Sequence, residues 1–177
     1  MKNLIFLCFV ILTLSSCDKD DHKTINPIDL LPPATQTGAN KVGCLLDGKA
    51  FIPSHYNNAT NCFYQFVDGD YYFVMAFGNE DDSFNLTDLG VGTRKKPIQE
   101  GETYDLYELN DGNTYGAYTY NGFMPSYTSH THTGKLTITK LDRINYIVSG
   151  TFWYDVEDTY GVVHHITDGR FDFHYTN

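Results

Sequence analysis

From residue 42 onward, apolar and polar side chains alternate with a period of two, which is typical of β-strands. Turn pairs such as Asp47-Gly48 and Asp68-Gly69 separate the runs. No segment sustains a helical period over eleven residues with capping signals, so we expect little helix. The pattern predicts strands at residues 42–46, 50–52, 62–67, 70–77, 84–89, 104–109, 115–120, 135–141, 145–154 and 162–175.

Two of these strands carry additional information. Residues 70–77 are apolar on both faces, which predicts a central strand covered on both sides. Residues 162–175 are interrupted by Asp168-Gly169, and we favour a bulge in one long strand over a hairpin turn there. The pattern as a whole predicts an all-β fold: a single β-sandwich or flattened barrel of about nine or ten short, mainly antiparallel strands.

The start of the chain has a different pattern. Lys2, the apolar run over residues 4–14 and the small residues before Cys17 predict a secretory signal peptide at residues 1–16. The apolar run is too short for a comfortable membrane span. Cys17 directly after Leu-Ser-Ser resembles a bacterial lipobox, which implies cleavage before Cys17 and lipidation of its thiol. The alternative is an ordinary signal peptide cut nearby.

Residues 17–36 are predicted to be a lipidated cysteine and a flexible tether, because they combine a charged cluster with prolines and few large apolar residues. The run Cys-Asp-Lys-Asp-Asp resembles the signal that follows the lipidated cysteine in surface-exposed lipoproteins of the Bacteroidota. A solvated spacer is the alternative. Residues 37–177 then form the folded body, which is long enough for one domain.

The charge balance limits the partners. The chain has 12 basic and 22 acidic residues and a net charge of -10, which becomes -11 when Lys2 leaves with the signal peptide. Such a surface repels nucleic acid, so we expect no nucleic-acid partner. Attachment to the membrane is expected through the lipid on Cys17.

Two cysteines, Cys44 and Cys62, remain in the body after Cys8 leaves with the signal peptide and Cys17 takes the lipid. In an oxidising compartment, two remaining cysteines suggest a disulfide bridge. The alternative is a pair of buried thiols that pack as small apolar side chains.

The histidines offer a metal-site hypothesis. His130 and His132 are two residues apart, so on a strand they would share a face and present two imidazoles to one metal, with His174 or a carboxylate completing the shell. The alternative is exposed loop histidines. The acidic clusters at residues 79–82 and 155–158 lack the spacing of a calcium loop and are expected to be solvated. No phosphate cradle or nucleophile elbow occurs, and no cofactor is predicted.

The fourteen tyrosines suggest a binding surface. Tyr118 and Tyr120 share a face of their predicted strand, where exposed rings would stack on sugar rings and nearby polar groups would form hydrogen bonds. The alternative is that tyrosine simply fills amphipathic strand positions.

Two stretches of the body carry a resemblance to a family. TQTGAN at residues 35–40 running into GCLLDGKAF at residues 43–51 resembles the opening of small uncharacterised Bacteroidota lipoproteins. SGTF at residues 149–152 and ITDGRFD at residues 166–172 resemble the end of the same family. The resemblance implies a β-sandwich on a lipid tether in the cell envelope, and it supplies no site residues.

These observations lead to one functional expectation and its alternatives. We expect a non-enzymatic lipoprotein of the outer membrane, facing outward, that binds or adheres to a glycan or an envelope protein. The alternatives are a glycan- or metal-dependent hydrolase accessory that uses His130 and His132, and a purely structural envelope component.

Overall fold

The computed structural model describes residues 25–54, 60–122 and 124–177. This part of the chain contains no α-helix and one 3-10 turn, Pro27–Leu30. Its strands are β1 Lys41–Leu46, β2 Lys49–Phe51, β3 Thr60–Val67, β4 Asp70–Glu80, β5 Leu86–Thr93, β6 Thr103–Leu106, β7 Thr114–Tyr120, β8 Ser126–Tyr127, β9 Gly134–Asp142, β10 Ile147–Glu157 and β11 Val163–His174.

The described strands belong to one sheet that does not close into a barrel. Its order is β2-β1-β11-β10-β9-β6-β7-β5-β4-β3, with β8 paired to β7. Every pairing between named strands is antiparallel except the short contact of β6 with β7. The last strand of the order, β3, meets the tail after β11 in a parallel bridge between Phe63 and Thr176.

One apolar core lies between the two halves of this sheet. The Phe73 ring of β4 lies 6.1 Å from that of Phe171 on β11, and the Phe77 ring lies 6.3 Å from that of Phe152 on β10. Strands far apart in the sheet order therefore face each other across the core. This arrangement confirms the predicted all-β class. The described part of the chain has eleven strands rather than nine or ten, because the two-residue strand β8 is too short to give an alternating pattern in the sequence.

The predicted bulge in β11 is confirmed. Phe152 pairs with Gly169 but Tyr154 pairs with Ile166, so β11 has an extra residue at this point, where Asp168 adopts a φ of 53°. The prediction that β4 is covered on both faces is wrong. Phe73 and its same-face neighbours are buried, whereas Tyr72 and Val74 on the other face line an open groove.

Residues 27–36, predicted as flexible tether, instead lie against the body. The 3-10 turn contacts β1 and β2, and Leu31 is buried. Beyond it, the Asp172 carboxylate of β11 fixes the chain by accepting hydrogen bonds from the Thr35 hydroxyl (2.6 Å) and from the backbone N–H groups of residues 37, 38 and 39 (2.8–3.1 Å). Gly38 is needed here, since its φ is +73° and a Cβ would collide with the His174 ring.

Asp172 is a buried carboxylate, only 1% exposed, and it also accepts from the Ser149 hydroxyl of β10 at 2.8 Å. Burial alone would raise its pKa. The hydrogen bonds from Thr35, residues 37 and 39, and Ser149 outweigh that effect and hold the pKa of Asp172 well below its usual range. The carboxylate is therefore ionised in the folded protein. We call residues 35–39 bound to Asp172 the latch.

Candidate ligand-binding site

An open depression of about 390 Å³ lies on the outer face of β9, β10 and β11, around the only tryptophan of the chain. We call it the Trp153 basin; it is lined by Ala34, Lys135, Thr137, Thr151, Phe152, Trp153, Asp168, Gly169 and Arg170. Its position follows from the alternation along β10. Phe152 and Tyr154 point into the core and are buried, so Trp153 between them points outward and is 43% exposed.

The bulge of β11 shapes this basin. Because Phe152 pairs with Gly169 and Tyr154 pairs with Ile166, Trp153 lies opposite the extra residue of β11. A Cβ on Gly169 would lie 2.5 Å from the buried Phe152 ring, so a larger residue there would displace a core side chain. Bulges often lie beside functional sites, where they redirect a side chain.

Polar groups surround the indole of Trp153. Lys135, its partner on β9, forms an ion pair with Asp105 at 2.7 Å, and this hydrogen bond raises the pKa of Lys135. The hydroxyls of Thr103 and Thr137 are 2.8 Å apart on the same side of the sheet.

The formal charges of the basin and its border balance. Lys135 and Arg170 contribute two positive charges, and Asp105 and Asp168 contribute two negative ones. The exposed indole can stack on the flat apolar face of a ligand. The hydroxyl, ammonium, guanidinium and carboxylate groups around the indole can form hydrogen bonds with the polar edge of the same ligand. The geometry therefore suits an uncharged, hydroxyl-rich ligand.

A second depression, the aromatic groove, has a volume of about 470 Å³ and lies on the uncovered face of β4. It is lined by Phe63, Gln65, Val67, Tyr72, Val74, Thr93, Arg94, Leu109 and Tyr115. Gly92 is needed beneath it, because a Cβ there would lie 2.8 Å from the Tyr115 hydroxyl and even closer to the Phe73 carbonyl. Arg94 is held by Asp111 at 2.7 Å. This groove is more apolar than the Trp153 basin and offers fewer hydrogen-bonding groups around its rings.

The two tyrosines predicted to bind a ligand differ in exposure. Tyr118 is buried (7% exposed), and its ring stacks on the His164 imidazole at a centroid distance of 4.3 Å. Tyr120 is 37% exposed. They lie two residues apart on β7 and both border a narrow crevice with Tyr160. A sugar ring needs an exposed ring face, so this pair offers Tyr120 alone.

His164 lies between two carboxylates. Its Nδ1 is 2.8 Å from Asp47 in the β1–β2 turn, and its Nε2 is 3.5 Å from Asp158 after β10. The pKa of Asp47 is lowered because the hydrogen bonds from His164 and His165 outweigh the effect of burial. Both imidazole nitrogens lie near a carboxylate, so His164 connects the β1–β2 turn with the turn after β10.

The candidate metal ligands His130 and His132 separate in the structure. His130 is exposed and lies 3.4 Å from Glu108, whereas His132 lies 3.7 Å from Glu157. His174, the third candidate, lies against Gly38 in the latch, with its Nδ1 2.9 Å from the Gly38 carbonyl oxygen. Within residues 25–54, 60–122 and 124–177, no group of three or more His, Cys, Asp or Glu side chains is arranged to hold a metal ion.

The predicted disulfide is not formed. Cys44 on β1 and Cys62 on β3 are free, buried thiols, as in the alternative interpretation. Burial among apolar side chains raises the pKa of both thiols, which makes them poor nucleophiles in the folded protein.

Sequence reasoning missed Trp153 and Asp172. The alternation of β10 was visible in the sequence, and a lone tryptophan at an outward position of such a strand is a usable signal. Asp172 also falls in an alternating strand, but most of its partners, in residues 35–39, lie more than 130 residues away. Nothing local in the sequence distinguishes it from an exposed aspartate.

The chain was compared with protein-family models, with curated proteins and with solved structures, and no match was found in any of the three. Cys17 and the predicted signal peptide lie outside the described residues. The part of the chain that is described includes no helix long and apolar enough to cross a membrane.

Proposed function

We propose that this protein is a lipid-anchored component of the bacterial outer membrane, exposed at the cell surface, whose β-body is a non-enzymatic module that binds a glycan in the Trp153 basin. The observation that carries the proposal is the half-exposed indole of Trp153, set beside the β11 bulge and surrounded by polar side chains. Sugar rings have an apolar face that stacks on an indole and hydroxyl edges that bond to such groups.

The size and charge of the basin favour a glycan over the other candidate partner, an envelope protein. A volume of about 390 Å³ falls within the range of small-ligand sites. A stable protein interface needs about 800 Å² from each partner, which is a larger and flatter surface. The balance between two basic and two acidic side chains favours a neutral ligand.

The single tryptophan makes the test direct, because the emission of Trp153 reports binding at the basin itself. Residues 25–177 are titrated with a panel of neutral glycans while indole fluorescence and calorimetric heats are recorded. We expect a glycan that changes the emission of Trp153 and that Trp153→Ala no longer retains. The matched control is Tyr160→Ala, which removes another exposed ring outside the basin and should keep wild-type affinity.

Each contrary result points to a different conclusion. A glycan that binds without altering the emission and is still retained by Trp153→Ala would overturn the basin as the site, and Tyr120→Ala and Tyr115→Ala would then identify the crevice or the aromatic groove. A panel without any binder would overturn the glycan proposal and return attention to a protein partner.

The lipid anchor has its own test. Globomycin, which blocks the peptidase that cleaves before a lipidated cysteine, should cause the full-length precursor to accumulate, and Cys17→Ser should do the same. Normal maturation under both conditions would refute the anchor, while the glycan result would stand independently.

A further inference from the structure

Exposed apolar side chains collect at one end of the body, although they come from four separate segments. We call this surface the tether end: Ile25, Ile28, Leu30, Ile52, Phe66, Val67, Ile144 and Tyr146, all of them at least one-third exposed. Phe66 is 62% exposed and Ile144 is 87% exposed. Large aliphatic side chains this exposed, and gathered from remote segments, indicate a contact surface.

Strand register places these segments together. Lys41 at the start of β1 pairs with Asp172 near the end of β11. The β9–β10 turn ends at Ile147, which pairs with His174, the last residue of β11. β3 runs parallel to the tail at Phe63 and Thr176, so the end of β3 and the turn after it continue toward the same end. Leu30 and Ile52 line one groove with Lys41.

Aromatic rings and one arginine support this end from within. The Tyr64 ring lies 5.2 Å from that of Tyr71, and the guanidinium of Arg143 lies 5.6 Å from the Tyr64 ring. The Phe66 ring lies 4.8 Å from that of Tyr71. Tyrosine and arginine are side chains that combine apolar surface with a polar tip, which suits a membrane–water interface.

The tether itself begins at this end. Ile25 is the first described residue, and it lies eight positions after Cys17. Eight steps along the chain span at most about 28 Å even when fully extended. A lipid on Cys17 therefore keeps the tether end close to the bilayer, and this short connection gives the apolar surface a high effective concentration at the lipid interface.

Charge does not drive the contact. Lys41 and Arg143 lie at this end, but so do Asp29, Asp68 and Asp70, whereas the carboxylate of Asp142 is occupied by the N–H groups of Ile144 and Asn145 and the side-chain amide of Asn145. The contact should therefore form on a neutral phospholipid surface through insertion of apolar side chains.

We propose that the tether end docks on the surface of the lipid bilayer and holds the Trp153 basin in a fixed orientation relative to the membrane. This inference rests on the lipid anchor of the proposed function. Insertion of the apolar side chains by about 5–10 Å would reach Ile144 and leave the opposite end of the body in water. The two ends of β10 are about 33 Å apart for its eleven residues.

The test uses the lipidated mature chain in phosphatidylcholine vesicles with an environment-sensitive thiol probe. Ile144→Cys places the probe at the tether end, and Tyr160→Cys, 72% exposed in wild type, places it beyond the other end of β10. Cys44 and Cys62 are buried and stay unlabelled in the folded protein. Lipids that carry a quencher below the headgroup should quench the probe at residue 144, with a blue shift of its emission, and leave the probe at residue 160 unchanged.

A Phe66→Asp, Leu30→Asp double variant carrying the probe at residue 144 should lose most of this quenching while remaining folded and attached to the vesicles, with a melting temperature lowered by only a few degrees because the Phe66 ring no longer packs on Tyr71. Four results would overturn the proposal. Absence of quenching at both positions on vesicle-bound protein would leave only the anchor, and equal quenching at both would mean that the orientation is not fixed. Failure to attach to vesicles would remove the anchor itself. A blue shift that depends on protein concentration and needs no vesicles would assign the tether end to a second copy of the chain.

Discussion

Replacing Asp172 by Asn tests whether the latch stabilises the body. The substitution keeps the shape of the side chain but removes its charge and exchanges one acceptor oxygen for an NH₂ donor. One carboxylate oxygen accepts from the Gly38 N–H and the Ser149 hydroxyl, and the other accepts from Thr35 and from the N–H groups of residues 37 and 39. In either orientation of the asparagine amide, its NH₂ group replaces one of these oxygens and faces a backbone N–H that then has no acceptor: that of Gly38 in one orientation, and those of residues 37 and 39 in the other.

The size of the effect follows from these contacts. An unsatisfied buried N–H costs about 1–3 kcal/mol, and each hydrogen bond that loses its charged acceptor loses roughly 0.5–1 kcal/mol more. The amide is easier to bury than the carboxylate, which offsets part of this cost. We expect Asp172→Asn to lower the free energy of unfolding by about 3 kcal/mol, a large share of the 5–15 kcal/mol typical of a domain. The melting temperature should fall by roughly 10 °C.

The pH dependence gives a second measurement of the same group. Because the folded pKa of Asp172 is depressed, its contribution to stability is fully present above its unfolded pKa of about 3.9 and is lost as the pH falls below that value toward the folded pKa. Below about pH 4, a single group of this kind contributes up to about 1.4 kcal/mol per pH unit to the slope of the free energy of unfolding against pH. Urea titrations from pH 6 to pH 2.5 should show this part of the slope in wild type and not in Asp172→Asn.

Asp168→Asn is the matched control, since Asp168 lies on the same strand, is exposed, and already has the positive φ that asparagine tolerates. The free energy of unfolding of Asp168→Asn should lie within about 0.5 kcal/mol of the wild-type value. The reasoning is refuted if Asp172→Asn matches this control in stability at pH 6 and keeps the wild-type acid slope.

Three further outcomes follow from particular contacts. The pKa of His165 is raised by its 2.7 Å hydrogen bond to Asp155, so NMR titration should place it above 6.5 in wild type and lower in Asp155→Asn; equal values would contradict the contact. Gly150→Ala brings a Cβ against the Thr137 carbonyl oxygen and the Phe171 ring, so it should cost about 1–3 kcal/mol in urea unfolding, and a neutral effect would mean that this part of the sheet moves easily. Cys44 and Cys62 should resist alkylation in the folded protein and react after unfolding, and a disulfide in the unreduced protein by mass spectrometry would contradict their assignment as free thiols.

The strand pattern was predictable because alternation is a local signal. The β11 bulge was favoured from the sequence over a hairpin turn, although Asp-Gly is also a common hairpin signal and forms the turns at Asp47-Gly48 and Asp68-Gly69. β4 shows the limit of this reasoning. Two apolar faces predict two covered faces, but Tyr72 and Val74 line an open groove instead and are only partly buried, because aromatic and β-branched residues suit a half-buried sheet face as well as a covered one.

The site was less predictable for a physical reason. Tyr118 and Tyr120 have the same local pattern, but the Tyr118 ring is buried and stacks on His164, more than 40 residues later, whereas Tyr120 is exposed. His130 and His132 are close in sequence but bind different carboxylates, Glu108 and Glu157, because they lie in a turn rather than on a strand. The spacing of residues along one segment does not indicate which distant segment supplies their contact partners in the fold.

The latch joins two short sequence motifs that lie at opposite ends of the body, residues 35–40 and residues 166–172. Residues 35–39 of the first motif bind Asp172, the last residue of the second motif, so each motif requires the other to complete one buried hydrogen-bond group. Under the proposed lipid anchor, the same group sets the reach of the tether. With the latch and the 3-10 turn in place, the described body begins eight positions after Cys17, whereas with residues 25–40 detached the first fixed residue would be Lys41, and the reach would grow from about 28 Å to about 84 Å. Over that distance the body could turn freely, and the effective concentration of the tether end at the bilayer would fall steeply. In the proposed arrangement, a buried carboxylate near the end of β11 therefore controls how closely a lipid on Cys17 holds the body to the membrane.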